Sequence, residues 1–138
     1  MNDELRQFVR QRADNRCEYC LLPQEASPLT FHVEHIIARQ HLDGVFDAID
    51  DPELLALACD RCNAYKGTNL TSIDPDTRAV VLLYHPRRDV WTDHFVLRGS
   101  VIAGLTPGGR ATVRLLQMNA PQRVELREEW IQNSGEFS

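Results

Sequence analysis

Two C-x-x-C pairs, Cys17 with Cys20 and Cys59 with Cys62, constrain the fold of this chain more than any other feature. They contain all four cysteines of the sequence, so no thiol is left over to act as a nucleophile. A C-x-x-C turn directs two sulfurs at one point, and two such turns supply the four thiolates of a tetrahedral zinc site. The sequence therefore predicts a zinc ion that ties the two pairs together.

Two other uses of these cysteines are open at this point, namely a redox-active C-x-x-C pair and a set of structural disulfides. The segment between the pairs, residues 21–58, exceeds the usual zinc-ribbon spacing. That length is tolerable because each doubling of a loop costs only about 0.6 kcal/mol of closure entropy. Four thiolate ligands leave a zinc ion no open position for water, so we expect a structural ion and not a catalytic one.

Length and composition predict a single domain that spans residues 1–138. Of the 138 residues, 43% are hydrophobic, which allows a modest core that a bound metal would reinforce. The N-terminal segment is charged from residue 3 onward, and the apolar runs are short. We therefore expect neither a signal peptide nor a membrane span, and a cytoplasmic protein. The sequence indicates no oligomeric state.

The distribution of charge is more informative than its sum. A net charge of -5 argues weakly against binding to nucleic acid, because phosphates are normally met by an excess of Lys and Arg. Residues 43–53 carry only acidic charges, however, while arginines precede the first cysteine pair and follow the second. An acidic loop beside a basic face is compatible with DNA binding.

Local patterns predict an α+β chain. A helix capped by Asn2 or Asp3 should run to about residue 14, and a second helix should open at Cys59 and stop near Gly67. Strands are expected where apolar and β-branched residues cluster, and Thr106-Pro107 and Asn119-Ala-Pro121 should open two C-terminal helices. The predicted strands are residues 29–37, 54–58, 79–84, 95–97 and 101–105.

Four polar residues flank the cysteine pairs, with Glu34 and His35 in F-H-V-E-H-I-I and Asn63 and Lys66 in C-D-R-C-N-A-Y-K-G. The order C-x-x-C, E-H-I-I, A-C-x-x-C-N-x-x-K-G resembles the HNH endonucleases of the His-Me finger (ββα-metal) superfamily, in the zinc-knuckle branch of short bacterial and phage nucleases. The motif L-Y-H-P-R-R-D-x-W-x-x-H-F extends the resemblance to about residue 97. It implies an α+β fold with a ββα-metal core over about residues 29–70, structural zinc knuckles and a C-terminal extension over about residues 71–138.

The resemblance implies hydrolysis of DNA phosphodiester bonds, with His35 as the general base. Imidazole suits that role at neutral pH because its ordinary pKa is about 6.5. Glu34 and Asn63 would bind a catalytic magnesium or manganese ion, and Lys66, on the same helix face as Asn63, would hold the scissile phosphate. The expected partner is double-stranded DNA. The residues expected to contact it are Arg39, His41, Arg61, Lys66, Arg87 and Arg88.

Two features resist this assignment. The middle Asn of the HNH motif falls at Leu54, which cannot form the hydrogen bonds that hold the loop behind the base in the family. Asp50, Asp51 and Glu53 are the candidates to replace it. Neighbouring residues of an ideal strand also point to opposite faces, so Glu34 and His35 reach one phosphate only where the strand is twisted or bulged.

Two other functions stay open. One is a catalytically weak, zinc-stabilised module that binds nucleic acid, which the Leu54 departure and the acidic net charge favour. The other is a zinc-stapled protein-interaction domain, since structural zinc is common in modules without catalytic activity.

Overall fold

The computed structural model describes residues 1–134, which form a mixed α+β structure. Within these residues the strands pair as three antiparallel two-stranded sheets, β1–β2, β3–β4 and β5–β6. None of the helices in this part of the chain is both long and apolar enough to cross a membrane. In chain order the elements are α1 (Asp3–Arg12), β1 (His32–His35), α2 (Arg39–Leu42), β2 (Leu55–Ala58), α3 (Asp60–Lys66), β3 (Thr71–Ile73), β4 (Val80–Leu82), α4 (Trp91–His94), β5 (Phe95–Arg98), β6 (Val101–Gly104), α5 (Pro107–Leu115) and α6 (Pro121–Ser134).

The central unit consists of β1, β2 and α3, in the predicted strand, loop, strand, helix order. β1 and β2 are antiparallel, with Glu34 opposite Ala56 and His35 opposite Leu55. Every residue of β2 is buried, because α1 packs against this strand. β1 begins later than the predicted residue 29. The Gln24 side chain donates to the Leu29 carbonyl and accepts from the Phe31 N–H, and these bonds keep residues 29–31 from pairing with β2.

α3 begins in the second cysteine pair and ends at a glycine, as predicted. The Cys59 Sγ accepts a hydrogen bond from the Cys62 backbone N–H at 3.4 Å and so caps the helix. At the other end Gly67 has a φ of +52°, which glycine adopts without steric cost. The helix therefore starts at the second cysteine pair and carries Asn63 and Lys66 along its length.

The C-terminal extension packs against the first cysteine pair. The Trp91 indole N–H donates to the Tyr19 carbonyl at 2.8 Å, and the Tyr84 ring meets the Tyr19 ring edge to face at 6.3 Å. Thr106 caps α5 through a 3.0 Å bond from the Gly109 N–H. Gly109 allows a close approach there, since a Cβ at this position would lie 2.2 Å from the His94 carbonyl oxygen.

The β5–β6 hairpin is fixed by polar side chains that follow it in the chain. Asn119 bonds both backbone groups of Ile102, at 2.9 Å to the N–H and 2.7 Å to the carbonyl. The fully buried Arg127 donates to the Ser100 carbonyl at 2.8 Å and to the Asn119 side-chain oxygen at 2.9 Å. α6 therefore contributes a buried cation to the hairpin as well as apolar packing.

Candidate functional site

The four cysteines converge on one buried point. Their Sγ atoms lie within 4.8 Å of one another, and the Cys20 and Cys59 sulfurs are 3.8 Å apart. Zinc–sulfur bonds of about 2.3 Å in a tetrahedron separate the sulfurs by about 3.8 Å. A disulfide needs about 2.05 Å, and all four thiols are free. The four cysteines are therefore positioned to bind a zinc ion, as the two C-x-x-C pairs predict.

Backbone hydrogen bonds build the first of the two knuckles. The Cys17 N–H donates to the Leu22 carbonyl and the Leu21 N–H donates to the Cys17 carbonyl, both at 2.9 Å. The Cys20 N–H points at the Cys17 sulfur at 3.5 Å, which favours a thiolate there. Burial raises the pKa of the Cys17 thiol well above its ordinary value. A bound cation is what makes four buried thiolates possible.

His35 closes β1 and faces the acidic loop. Its Nε2 lies 2.9 Å from Asp50 Oδ1, and its side chain is 12% exposed. The Arg39 guanidinium lies 3.7 Å from the same Asp50 oxygen. The hydrogen bond to His35 is the main reason that the pKa of Asp50 lies below its ordinary value. His35 is therefore held by a carboxylate, while Asp51 instead caps the following 3₁₀ turn through a 2.9 Å bond from the Glu53 N–H.

Glu34 lies in a buried polar cluster with Tyr19 and Lys66. One carboxylate oxygen of Glu34 accepts a hydrogen bond from the Tyr19 hydroxyl, and the other lies 3.5 Å from the Lys66 ammonium. Lys66 also donates to the Ile36 carbonyl at 2.7 Å. Burial raises the pKa of Glu34, and the Lys66 charge and the Tyr19 hydrogen bond oppose that rise. Both carboxylate oxygens already have partners.

The buried cluster around Glu34 limits how the predicted catalytic residues can act. Glu34 is only 8% exposed and Lys66 only 2%, so neither faces solvent. Asn63 is half-buried on α3, and its side chain forms no hydrogen bond with residues 1–134. As arranged, Glu34 does not offer an open carboxylate to a hydrated cation, and Lys66 does not offer its ammonium to a phosphate. Either contact requires the Glu34–Lys66 pair to open.

A comparison with protein families matches residues 17–69 to the model described as HNH endonuclease. Over this segment the chain is similar to HNH endonucleases. The match includes both cysteine pairs together with Glu34, His35, Asn63 and Lys66, and the cysteine cluster is compatible with the zinc-knuckle branch. Comparisons with curated proteins and with solved structures found no significant match.

Three of the residues expected to bind DNA lie on the surface of the protein around this HNH domain. The Arg39 side chain is 59% exposed, and His41 follows it in the same exposed segment. The Arg88 side chain is 61% exposed and lies 3.8 Å from Asp89. All three are accessible to a phosphate backbone, and their contact with DNA stays a prediction.

The other two arginines are engaged within the protein. The Arg87 guanidinium forms an ion pair with Glu18, whose other oxygen accepts from the Leu57 N–H at 2.7 Å. Burial lowers the pKa of Arg87 to about 10. The Arg61 guanidinium lies over the Tyr65 ring, 5.3 Å from its centroid. A DNA contact by Arg87 would require its ion pair with Glu18 to open.

Sequence reasoning did not find the partners of the HNH motif residues. Tyr19 lies between the cysteines of the first pair, and the C-x-x-C spacing does not indicate that its hydroxyl binds Glu34. Asp50 was one of three candidates near Leu54, and only the three-dimensional contact with His35 distinguishes it. Tyr19 and Glu34 are 15 residues apart, as are His35 and Asp50, so no local sequence pattern indicates either contact.

Proposed function

We propose that the HNH domain hydrolyses phosphodiester bonds of DNA, with His35 as the general base. The observation that carries this proposal is the position of His35 at the end of β1, in a family-matched segment, with its Nε2 held 2.9 Å from the Asp50 carboxylate. An imidazole fixed in this way is able to take a proton from water at neutral pH.

The proposed reaction is a direct displacement at phosphorus. A water oxygen bonds to phosphorus while His35 takes one of its protons, and the bond from phosphorus to the leaving oxygen breaks. The leaving oxygen is then protonated by solvent. Every cysteine belongs to the zinc cluster, so the attacking group is water and not a thiol.

Magnesium or manganese is the proposed second cofactor, with Glu34 and Asn63 as ligands. A divalent cation at such a site stabilises negative charge on the phosphate and the leaving oxygen. The half-buried Asn63 side chain forms no hydrogen bond within residues 1–134, so its oxygen is available as a ligand there. For Glu34 the assignment requires the Lys66 ammonium to leave the carboxylate oxygen that it now approaches at 3.5 Å.

Double-stranded DNA is the proposed substrate, and the cytoplasm is the proposed location. The exposed Arg39, His41 and Arg88 support a contact with phosphates. Phosphate contacts of this kind position the duplex and carry no sequence information by themselves.

A zinc-stabilised nucleic-acid binding module is the second proposed function. The burial of Glu34 against Lys66 favours it, because the neighbouring ammonium repels a second cation at this carboxylate. Such a module would bind DNA through the same exposed basic residues without cleaving it.

A plasmid-nicking assay distinguishes these functions. Zinc-loaded protein is incubated with supercoiled plasmid in magnesium, in manganese and in neither, and a DNA shift assay at several salt concentrations is run in parallel. A nuclease converts the plasmid to nicked or linear forms only with the added cation, and Asn63→Ala raises the cation concentration needed. Asn133→Ala, which removes an exposed asparagine from α6, is the matched control.

Binding without nicking in either cation would favour the second function. An absence of both binding and nicking would leave the zinc-stapled protein-interaction domain as the remaining alternative.

A further inference from the structure

We propose that Asp50 is a positioning residue for His35, fixing the ring so that Nδ1 is the nitrogen that accepts the proton from water. The proposal deepens the nuclease function proposed above and rests on it. Its basis is the 2.9 Å contact between His35 Nε2 and Asp50 Oδ1, made by a side chain that is almost entirely enclosed.

The chemistry of the two groups determines which nitrogen is basic. A neutral imidazole carries one proton, on either Nδ1 or Nε2, and an ionised carboxylate only accepts hydrogen bonds. Asp50 therefore retains the tautomer with the proton on Nε2, which leaves the Nδ1 lone pair available. Once Nδ1 has taken a proton from water, the adjacent carboxylate stabilises the resulting imidazolium.

The chain around Asp50 explains why this residue, and not a neighbour, reaches the ring. Asp51 uses its side chain to cap the turn Pro52–Leu54. Leu54 offers only its backbone carbonyl, which accepts from the Ile36 N–H at 2.9 Å and extends the β1–β2 pairing by one residue. The turn and the pairing together hold Asp50 beside the end of β1, where His35 is the last residue.

The surroundings of the His35–Asp50 contact indicate that it orients the His35 ring and is more than a weak surface ion pair. The Asp50 side chain is 35% exposed. Its first oxygen is directed at His35 and Arg39, and its second oxygen lies 3.5 Å from the N-terminal ammonium of Met1. An exposed ion pair such as that of Arg6 with Asp3 contributes little to stability, because forming it restricts two mobile side chains. The enclosed ring of His35 has few alternative rotamers, so one directed hydrogen bond is sufficient to select among them.

The test compares variants of two aspartates in the same acidic segment. Asp50→Ala removes the acceptor, Asp50→Asn keeps the size and a neutral acceptor, and Asp47→Asn makes the same charge change at an exposed position. We expect Asp50→Ala to lower the single-turnover nicking rate at saturating DNA by about 10-fold to 100-fold, the usual worth of such a partner. Asp50→Asn should lose at least as much, because its amide can donate to Nε2 and hold the proton on Nδ1. Asp47→Asn should match the wild-type rate, and the Kd for DNA should change equally in the two Asn variants.

A second readout reports the tautomer itself. Long-range proton–nitrogen NMR spectra, with the His35 signals assigned from His35→Gln, should show the proton on Nε2 in wild type and in Asp47→Asn. In Asp50→Ala the same spectra should show a mixture of tautomers or the opposite one. If Asp50→Ala does not fold, Asp50→Asn carries both measurements.

The outcomes separate this proposal from the one on which it rests. A wild type that nicks no plasmid overturns the nuclease function and the positioning role together. A wild type that nicks, an inactive His35→Ala, and Asp50→Ala at the wild-type rate overturn the positioning role alone. A wild-type spectrum with the proton on Nδ1 also overturns it.

Discussion

Replacement of Lys66 by Met discriminates between the buried position of this side chain and the exposed, phosphate-binding position predicted from the sequence. Met removes the ammonium and keeps much of the length and volume of the side chain. Lys66 is 2% exposed, donates to the Ile36 carbonyl at 2.7 Å and lies 3.5 Å from a Glu34 oxygen. Removing one partner of a buried ion pair costs about 3–5 kcal/mol of folding free energy, whereas an exposed pair is worth about 0–1 kcal/mol. We expect the larger loss for Lys66→Met.

The folding free energy lost in Lys66→Met should also depend on pH, because the substitution leaves the Glu34 carboxylate buried without a compensating charge. Burial holds the pKa of Glu34 above its ordinary value, so the folded state binds this proton more tightly than the unfolded chain does. Stability from that proton is complete below the ordinary pKa of Glu and is lost as pH rises through the folded pKa. The difference between Lys66→Met and wild type should therefore shrink as the pH falls.

Urea unfolding at a fixed free zinc concentration, followed by far-UV circular dichroism, measures these free energies. Arg88→Met is the matched control, because it removes a cation from a side chain that is 61% exposed. The Glu34→Gln and Glu34→Gln/Lys66→Met variants complete a double-mutant cycle, in which the double variant should lose less than the sum of the single losses. A loss below about 1 kcal/mol for Lys66→Met, equal to that of the control, would refute the buried ion pair.

Three further predictions concern the zinc site, a buried phenol and the DNA surface. Cys17→Ser should lose zinc by elemental analysis and unfold by circular dichroism, because metal binding and folding are coupled; a folded, zinc-free variant would contradict this. Burial raises the pKa of Tyr84 to about 12, so its contribution to stability is complete below pH of about 10 and is lost as pH rises towards 12. The free energy of unfolding, measured with urea between these pH values, should fall less steeply with pH for Tyr84→Phe than for wild type. Equal slopes for the two proteins would contradict the assignment. Arg39→Ala should weaken DNA binding and lower the salt slope by about one in shift assays, whereas Arg87→Ala should chiefly lower stability by releasing Glu18.

The sequence predicted those features that depend on local spacing. Each C-x-x-C pair places two sulfurs within one turn, so the pattern alone indicated that the four cysteines could meet at one point. The limits of α3 were also predictable, since Cys59 begins the helix and Gly67 ends it. β3 was missed because Thr71–Ile73 has little strand character by itself and becomes a strand by pairing with β4.

The orientation of individual side chains was not predictable from local spacing. Lys66 lies one helical turn after Asn63, yet its long side chain turns inward to the Ile36 carbonyl and Glu34. This orientation depends on Ile36, thirty positions earlier, and on the Tyr19 hydroxyl that binds Glu34. The periodicity of the sequence does not indicate such contacts. The prediction of one domain over residues 1–138 stays a prediction, and the Trp91–Tyr19 contact between core and extension supports it.

The role of His35 as the general base is tested most directly by single-turnover cleavage of a plasmid by His35→Ala and wild type. The control is His32→Ala, which removes an exposed histidine from the other end of β1. Loss of a general base should lower the rate by roughly 10² to 10⁴, while DNA affinity, which depends on phosphate contacts, stays close to that of wild type. A His35→Ala variant that cleaves as fast as wild type would contradict the proposed chemistry.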